Sequence, residues 1–309
     1  MGEKKYLTIN ELIENIKNKN IIIEDENETR KILETNNYYF IMGYKFAFKL
    51  GNGAYKQNTY FNDIFKLYKF DKSLKLLFLE PVLLIEQKLK TIFTNNYCTR
   101  YGFKLNDILN QNNYDKSNLF LDDTLQELNK QIKIFGDNNK AVIFYKHKYQ
   151  FVPLWVYMKV ISFGMIRDLF YVSKPSDKTF MINKLINDKL STSDASNMLR
   201  LLVRIRNICC HDDILLSYVD DKLGIKTTIY HYHFNLIKDK NDNIIQGKKD
   251  IFAVLIIFKI FLEQKQFNLV IDNLTKLIDD YCLENKSISR GHLLSIMHLP
   301  NNFEDLKKL

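Results

Sequence analysis

Residues 199–218 read LRLLVRIRNICCHDDILLSY. Apolar side chains recur at three- and four-residue intervals, a period that predicts a helix with one face in a core. At about 100° per residue, Met198, Leu201, Leu202, Ile205, Ile208 and Cys209 fall on one wide apolar stripe. Arg200, Arg204, Asn207 and His211 fall on a narrow polar one, because spacings of 4, 3 and 4 stack side chains one above another. Arg206 lies off that stripe. It can join the polar group if the helix ends or bends near Cys209-Cys210, if its long side chain reaches around, or if a second copy of the chain completes the group. A helix made only to fill a core has no use for three arginines, an asparagine and a histidine within twelve residues.

These residue types suit internal transesterification of RNA. A neutral histidine can take the proton from a ribose 2′-OH, since its pKa lies near ambient pH. The alkoxide attacks the adjacent phosphorus, and arginine binds the charge that develops on the phosphoryl oxygens. Asparagine can orient the imidazole or bind phosphate. The products are a 2′,3′-cyclic phosphate and a 5′-OH, no metal or other cofactor is required, and DNA, lacking the 2′-OH, is inert. Two arginines meet an Arg-x(4–6)-His spacing, Arg206 and Arg204, and the sequence leaves open which of them acts. On spacing alone the group also fits a solvated polar face that ends in a capping histidine.

Outward from this stretch, the chain is apolar enough to fold, with 46% hydrophobic and 13% aromatic residues over 309 positions. Only 10 Gly and 4 Pro favour long helices over a many-stranded sandwich, so an all-α fold is expected. The net charge of +9 suits a polyanionic partner, though lysine far outnumbers arginine and part of this basicity fits a solvated lysine surface. Three of the seven arginines nevertheless fall in one seven-residue window, 200–206. Four cysteines without CxxC spacing or a disulfide framework point to a reducing compartment. The opening MGEKKYLTIN lacks an apolar signal core, and Tyr6 stands where a myristoylation signal has Ser or Thr. The longest apolar run, 251–262, is too short to span a bilayer and contains Lys259. A soluble cytoplasmic protein with no membrane partner is expected.

In chain order, Thr8-Ile9-Asn10-Glu11 is a capping box that opens a short helix, and a second covers about 25–34. The aromatic-rich segment 37–44 and a loop at 51–58 complete an N-terminal helical subdomain, 1–58. Residues 59–309 form the main helical domain. Its first long helical region, 62–97, is interrupted by Asp71 as the cap of a new helix and kinked by Pro81; Glu80 and Glu86 on it read as solvated or salt-bridged. Residues 103–116 read as loop and 118–135 as helix. Residues 140–150 interleave Lys140, Lys146, His147 and Lys148 with Phe144, Tyr145 and Tyr149, a pattern that fits either a track for single-stranded RNA or an amphipathic segment with a lysine face. Helices follow at 152–172 and 177–189. Residues 227–236 alternate like a strand and pair with 243–246 in a hairpin inserted near 227–247, with His231 and His233 on its exposed face. A long helical region, 250–285, and a short tail, 287–309, end the chain.

The segment RIRNICCHDDILL resembles the Arg-Asn-x-x-x-His motif of HEPN domains in Abi-like abortive-infection proteins of the AbiD/AbiF group. Other segments agree in order. Residues 38–44, YYFIMGY, resemble the group's aromatic-Gly-Tyr motif, and 61–86 its Leu-Tyr-x-Phe-Asp helix followed by an Ile-Glu helix. Pro153-Leu154-Trp155 through Ser162-Phe163-Gly164 resembles its Pro-x-Trp…Ser-Phe-Gly helix. The resemblance extends over roughly 36–300; Cys209, Cys210 and Asp212 depart from the usual motif. It implies a helical HEPN-type bundle, an endoribonuclease toxin used in phage defence, and Arg206, Asn207 and His211 as the catalytic motif. One motif per chain implies a homodimer, and a small structured non-coding RNA is an implied partner. Arg200, Arg204, Lys140, Lys146 and Lys148 are then the expected RNA-binding residues. The alternative is a non-catalytic RNA-binding module held in complex with such an RNA.

Overall fold

The structure, a computed structural model, describes residues 5–186, 190–285 and 287–309. Among them the elements are helices joined by turns; the only β-pairings are isolated bridges. The N-terminal part holds α1 (Ile9–Lys17), α2 (Glu26–Thr35) and α3 (Tyr38–Met42), the last running into a 3-10 turn, Gly43–Phe48. Thr8 and Glu11 close the expected capping box, and Asp25 caps α2 by accepting from the Glu28 amide at 3.0 Å.

The central element is α4, Phe61–Tyr101, a single helix of 41 residues. The expected break at Asp71 does not occur: Asp71 is wholly buried in mid-helix, and Pro81 lies inside the same helix. Burial recurs at Ile64, Leu67, Tyr68, Asp71, Leu74, Lys75 and Phe78, so a carboxylate and an ammonium sit on the stripe that apolar side chains otherwise occupy. Glu80 is exposed and Glu86 pairs with Lys90 at 2.7 Å.

The segment expected as loop contains α5 (Leu105–Ile108) and a 3-10 turn, Gln111–Asn113. Next come α6 (Leu121–Gly136), α7 (Lys140–Tyr149) and α8 (Leu154–Tyr157), then α9 (Phe163–Val172), α10 (Pro175–Leu185) and α11 (Thr192–Cys210). The helix expected over 152–172 is broken because Ser162 caps a new one, accepting from the Met165 amide at 3.2 Å. The end of the helix expected over 177–189 falls at 187–189, outside the described residues.

The region 250–285 divides at Leu262-Glu263 into α12 (Ile251–Phe261) and α13 (Gln264–Glu284). Every residue of α12 is buried, which makes it the innermost helix; Phe258 meets Phe78 of α4 at 5.5 Å between ring centres. Its one charge, Lys259, donates to Gln264 at 2.7 Å. Full burial of each large apolar side chain there contributes roughly 1.5–3 kcal/mol. The residues expected as a tail belong to the core as well. In α14 (Arg290–Ile296) and the 3-10 turn Phe303–Lys308, Leu293, Leu294, Phe303 and Leu306 are buried. The hydrophobic core is continuous from Ile13 to Leu306, and α4 packs against α10, α11 and α13.

The expected strand over 227–236 is a 3-10 turn, Ile229–His233, and only its distal end forms a hairpin-like turn, through the bridge between Lys238 and Ile244. Tight winding separates the two histidines. His233 is exposed, whereas His231 is fully buried, against the expectation of an exposed pair. The Thr228 amide donates to His231 Nδ1 at 3.0 Å, so the imidazole is the neutral tautomer whose Nε2–H donates to the Gly247 carbonyl at 2.9 Å. Burial pulls its pKa below the usual histidine value, and burial beside Lys56 does the same to His292. A histidine with a depressed folded-state pKa contributes stability that is complete above its unfolded value of 6.5 and is lost as pH falls through the folded value. Thermal denaturation should therefore show a midpoint that falls as pH is lowered from about 7.5 to 5.5. The fall should be shallower in His231→Ala, whose midpoint is lower throughout because two buried polar groups lose a partner costing about 1–3 kcal/mol each. An equal pH slope in the two proteins would contradict this.

Candidate functional site: the end of helix α11 and its anchored loop

Ser191 starts α11 by accepting from the Asp194 amide at 3.1 Å. The helix buries Ala195, Met198, Leu199, Leu201, Leu202 and Ile205 against α4, α9 and α10. Arg200, Arg204 and Asn207 emerge on the exposed side, as their spacing requires. The helix stops at Cys210. His211 is extended (φ −120°, ψ 176°), with its amide donating to the Ile208 carbonyl at 3.3 Å. The imidazole is therefore exposed but leaves the stripe on which a continued helix would put it.

The segment after the helix is fixed from below. Asp71 accepts from the Leu216 amide at 2.6 Å, the Leu215 amide at 3.3 Å and the Tyr44 hydroxyl at 2.6 Å. Lys75, one turn on along α4, lies 3.5 Å from the same carboxylate and donates to the His211 carbonyl at 3.4 Å. Gly43 fits closely beside it: a Cβ there would come within 3.3 Å of Ile214 Cδ1. Burial pushes the Asp71 carboxyl up, while Tyr44, Lys75 and the two amides pull it back; burial beside Asp71 raises the Tyr44 phenol far above its ordinary range, so it stays a donor. Residues distant in sequence thus converge on the backbone that carries His211. Sequence reasoning read Asp71 as a helix cap and Tyr44 as part of an aromatic connection. The available signal was a carboxylate at helical spacing within an apolar stripe.

The other site residues are placed as follows. Arg206 is partly buried, and its Nε has no hydrogen-bond partner among the described residues. Val203, one turn earlier, stands 3.9 Å from where a Cβ on Gly164 of α9 would lie, while Arg200 interacts electrostatically with Arg167 and Asp168 further along α9. The two helices are therefore antiparallel, and the register carries Arg206 towards the Ser162 end of α9. Arg204 is 3.8 Å from Asp220, itself held by the Tyr218 hydroxyl and the amides of Lys222 and Leu223. Arg200 borders a cleft of about 330 Å³ with Arg167, Asp168 and Tyr171. Cys209 is half-buried, its thiol pushed up to about 12 by burial, which suits the inert apolar role expected of it. No hydrogen bond or ion pair joins Arg206, Asn207 and His211 to one another among the described residues.

Lys140, Lys146 and Lys148 lie together on α7, all exposed. Lys146 is 3.5 Å from Asp137, and Lys148 stands over the rings of Phe144 and Tyr149. The main packing partner of α7 is α8, so these lysines are carried by a different part of the bundle from the α11 stripe.

A family model described as Abi-like protein matches residues 31–217. That span runs from within α2 to the end of the anchored loop, taking in Tyr44, Asp71, Lys75 and the whole of α11, and stops before α12. No curated protein and no solved structure matches the chain.

Proposed function

This chain belongs to the Abi-like protein family, and from that premise we propose that it is an endoribonuclease effector of phage abortive infection, cleaving RNA without a metal. His211 removes the 2′-OH proton, the alkoxide attacks phosphorus, and the 5′-oxygen leaves and takes a proton from solvent. Arg206 binds the phosphoryl oxygens, with Asn207 orienting the imidazole or the phosphate and Arg200 and Arg204 holding flanking phosphates. The observation that carries the reading is the treatment of His211: an exposed imidazole with no partner among the described residues, on a backbone held by Lys75 and Asp71. A fixed backbone under an exposed imidazole is what positioning a general base requires. The unpartnered Arg206 Nε fits a guanidinium reserved for an anion, since leaving a buried N–H unpaired otherwise costs about 1–3 kcal/mol. No hydrogen bond or ion pair joins Arg206 to His211 among the described residues; in this reading the working enzyme is a homodimer in which a second copy completes the site, with a small structured RNA as a further partner.

The test is labelled RNA incubated with purified protein in EDTA. Products ending in 2′,3′-cyclic phosphate and 5′-OH are expected, with no cleavage at a position carrying a single 2′-deoxy substitution; strict dependence on added metal, or cleavage at the deoxy position, would remove the mechanism. A second reading, a non-catalytic module held by structured RNA, is favoured by one observation: the exposed lysines of α7 lie apart from α11. It predicts co-purifying RNA and a cellular effect unchanged by His211→Ala.

A further inference from the structure

We propose that the corner formed by α6, α7 and α8 is a groove for unpaired RNA, in which Phe151 on the lining stacks on one base, Trp155 beside the groove, next to the Phe103 ring that also meets Phe151, stacks on another, and Lys104, Lys133 and Lys146 take the phosphates. The proposal rests on the reading that this chain acts on RNA, and adds a place where single strands are gripped away from the cleavage residues.

The groove encloses about 390 Å³ and is bordered by Lys104, Lys133, Lys146 and Phe151, with Asp137 as its only acid. The pair between Lys146 and Asp137 is exposed and 3.5 Å long, so it holds the ammonium weakly and releases it readily to phosphate. The rings follow from local sequence. In α8, Leu154, Val156 and Tyr157 turn inward, which leaves Trp155 outward and 50% exposed. Gln150 closes α7 in a left-handed conformation (φ +61°) and so turns the chain to present Phe151, 38% exposed. Phe103 packs against both rings, 5.9 Å from Phe151 and 5.5 Å from Trp155 between centres, and its carbonyl accepts from the Leu154 amide at 2.9 Å. Lys104 lies over the Phe151 ring. Phe144 and Tyr149 of α7, about half exposed beneath Lys148, lie outside the groove.

Half-exposed aromatic rings on a scaffold fixed by a backbone hydrogen bond, with cations between them, are the elements of a stacking platform for single strands. Bases of a duplex are stacked on one another and cannot reach such rings, which selects unpaired RNA. A second copy of the chain is the other occupant to weigh, since exposed aromatic surface often marks a protein interface. Charge decides against it. A two-fold contact through this face would bring Lys104, Lys133 and Lys146 of one copy towards the same lysines of the other, whereas a polyanion is attracted to all of them.

Trp155 is the single tryptophan of the chain, so its fluorescence reports on this corner alone. The experiment titrates the full-length protein with a 2′-O-methyl oligouridylate, which cannot be cleaved, and with the same strand in a duplex. Quenching by the single strand and none by the duplex are expected. Trp155→Ala and Phe151→Ala should each weaken binding, read by anisotropy of a labelled strand, about tenfold. Lys133→Ala and Lys146→Ala should each lower the slope of log K against log salt by about 0.7. Circular dichroism should show all four variants folded, since each replaced side chain is partly or wholly exposed. Unchanged emission at saturating oligonucleotide, or unchanged affinity in Trp155→Ala with Phe151→Ala, would overturn the proposal, as would Trp155 emission that varies with protein concentration in the absence of RNA. Cleavage of unmodified RNA is followed in parallel. Cleavage without quenching overturns the groove and leaves the nuclease reading standing, whereas quenching without cleavage supports the groove and removes the nuclease.

Discussion

Asp71→Ala should unfold the protein or cost about 3–5 kcal/mol, the range for stripping a buried, multiply bonded charge from its partners. The substitution leaves the amides of Leu215 and Leu216, the Tyr44 hydroxyl and the Lys75 ammonium facing an apolar void. Asn is at best a partial remedy at this position, because its amide NH₂ would face the Leu215 amide and the Lys75 ammonium, neither of which can accept; of these partners only the Tyr44 hydroxyl can. Tyr44→Phe removes one donor and leaves the carboxylate its other bonds, so its cost should be smaller, about 1–2 kcal/mol. Because both act on the same atoms, the double variant should be less destabilised than the sum of the singles. Chemical denaturation of the four proteins measures this, and a loss below about 1 kcal/mol for Asp71→Ala would show that the carboxylate does not hold the loop. Lys75→Met gives the functional counterpart: it keeps the length of the side chain but frees the His211 carbonyl, so activity should fall further than stability.

His211→Ala should reduce RNA cleavage by about 10²–10⁴-fold, the usual contribution of a general base, and Arg206→Ala by about 10²–10³-fold, that of a charge-stabilising donor. Stability should change by less than about 0.5 kcal/mol for His211→Ala, an exposed side chain without a partner among the described residues. That contrast separates a catalytic loss from a folding loss, which Asp71→Ala alone cannot do. Arg204→Ala is the comparison that decides between the two arginines. Arg204 sits beside Asp220 and is expected to weaken binding with little effect on the maximal rate, whereas Arg206 should lower the rate itself. The reverse ranking would make Arg204 the catalytic arginine, and full activity of His211→Ala would sink the mechanism. If a second copy completes the site, mixing inactive Arg206→Ala with inactive His211→Ala should restore part of the activity, because mixed dimers carry one intact combination.

Much of this molecule is local and is therefore written in the chain. Local signals place α1 by its capping box and α2, α6 and α11 as helical segments, α11 by apolar periodicity, because a cap and a helix face depend only on residues within about a turn. Capping residues such as Thr8, Asp25 and Ser191 act within one turn, so their positions also follow from sequence. The polar stripe of Arg200, Arg204 and Asn207 was legible for the same reason. Tertiary context decided the rest. Nothing local distinguishes Asp71 as a helix cap from Asp71 as a buried acceptor, since that depends on Tyr44, 27 residues before it, and on Leu216, 145 residues after it. The alternation over 227–236 matched a strand, but without a partner strand to satisfy its backbone the segment winds into a 3-10 turn around the buried His231. Where α11 ends, and hence where His211 points, is likewise fixed by Lys75 and Asp71 on another helix. The sequence alone singled out Arg206, Asn207 and His211 as candidates for the chemistry; only the packing of α4 under the end of α11 decided how His211 is held, because a backbone carbonyl and two amides can be anchored only by groups that folding brings to them.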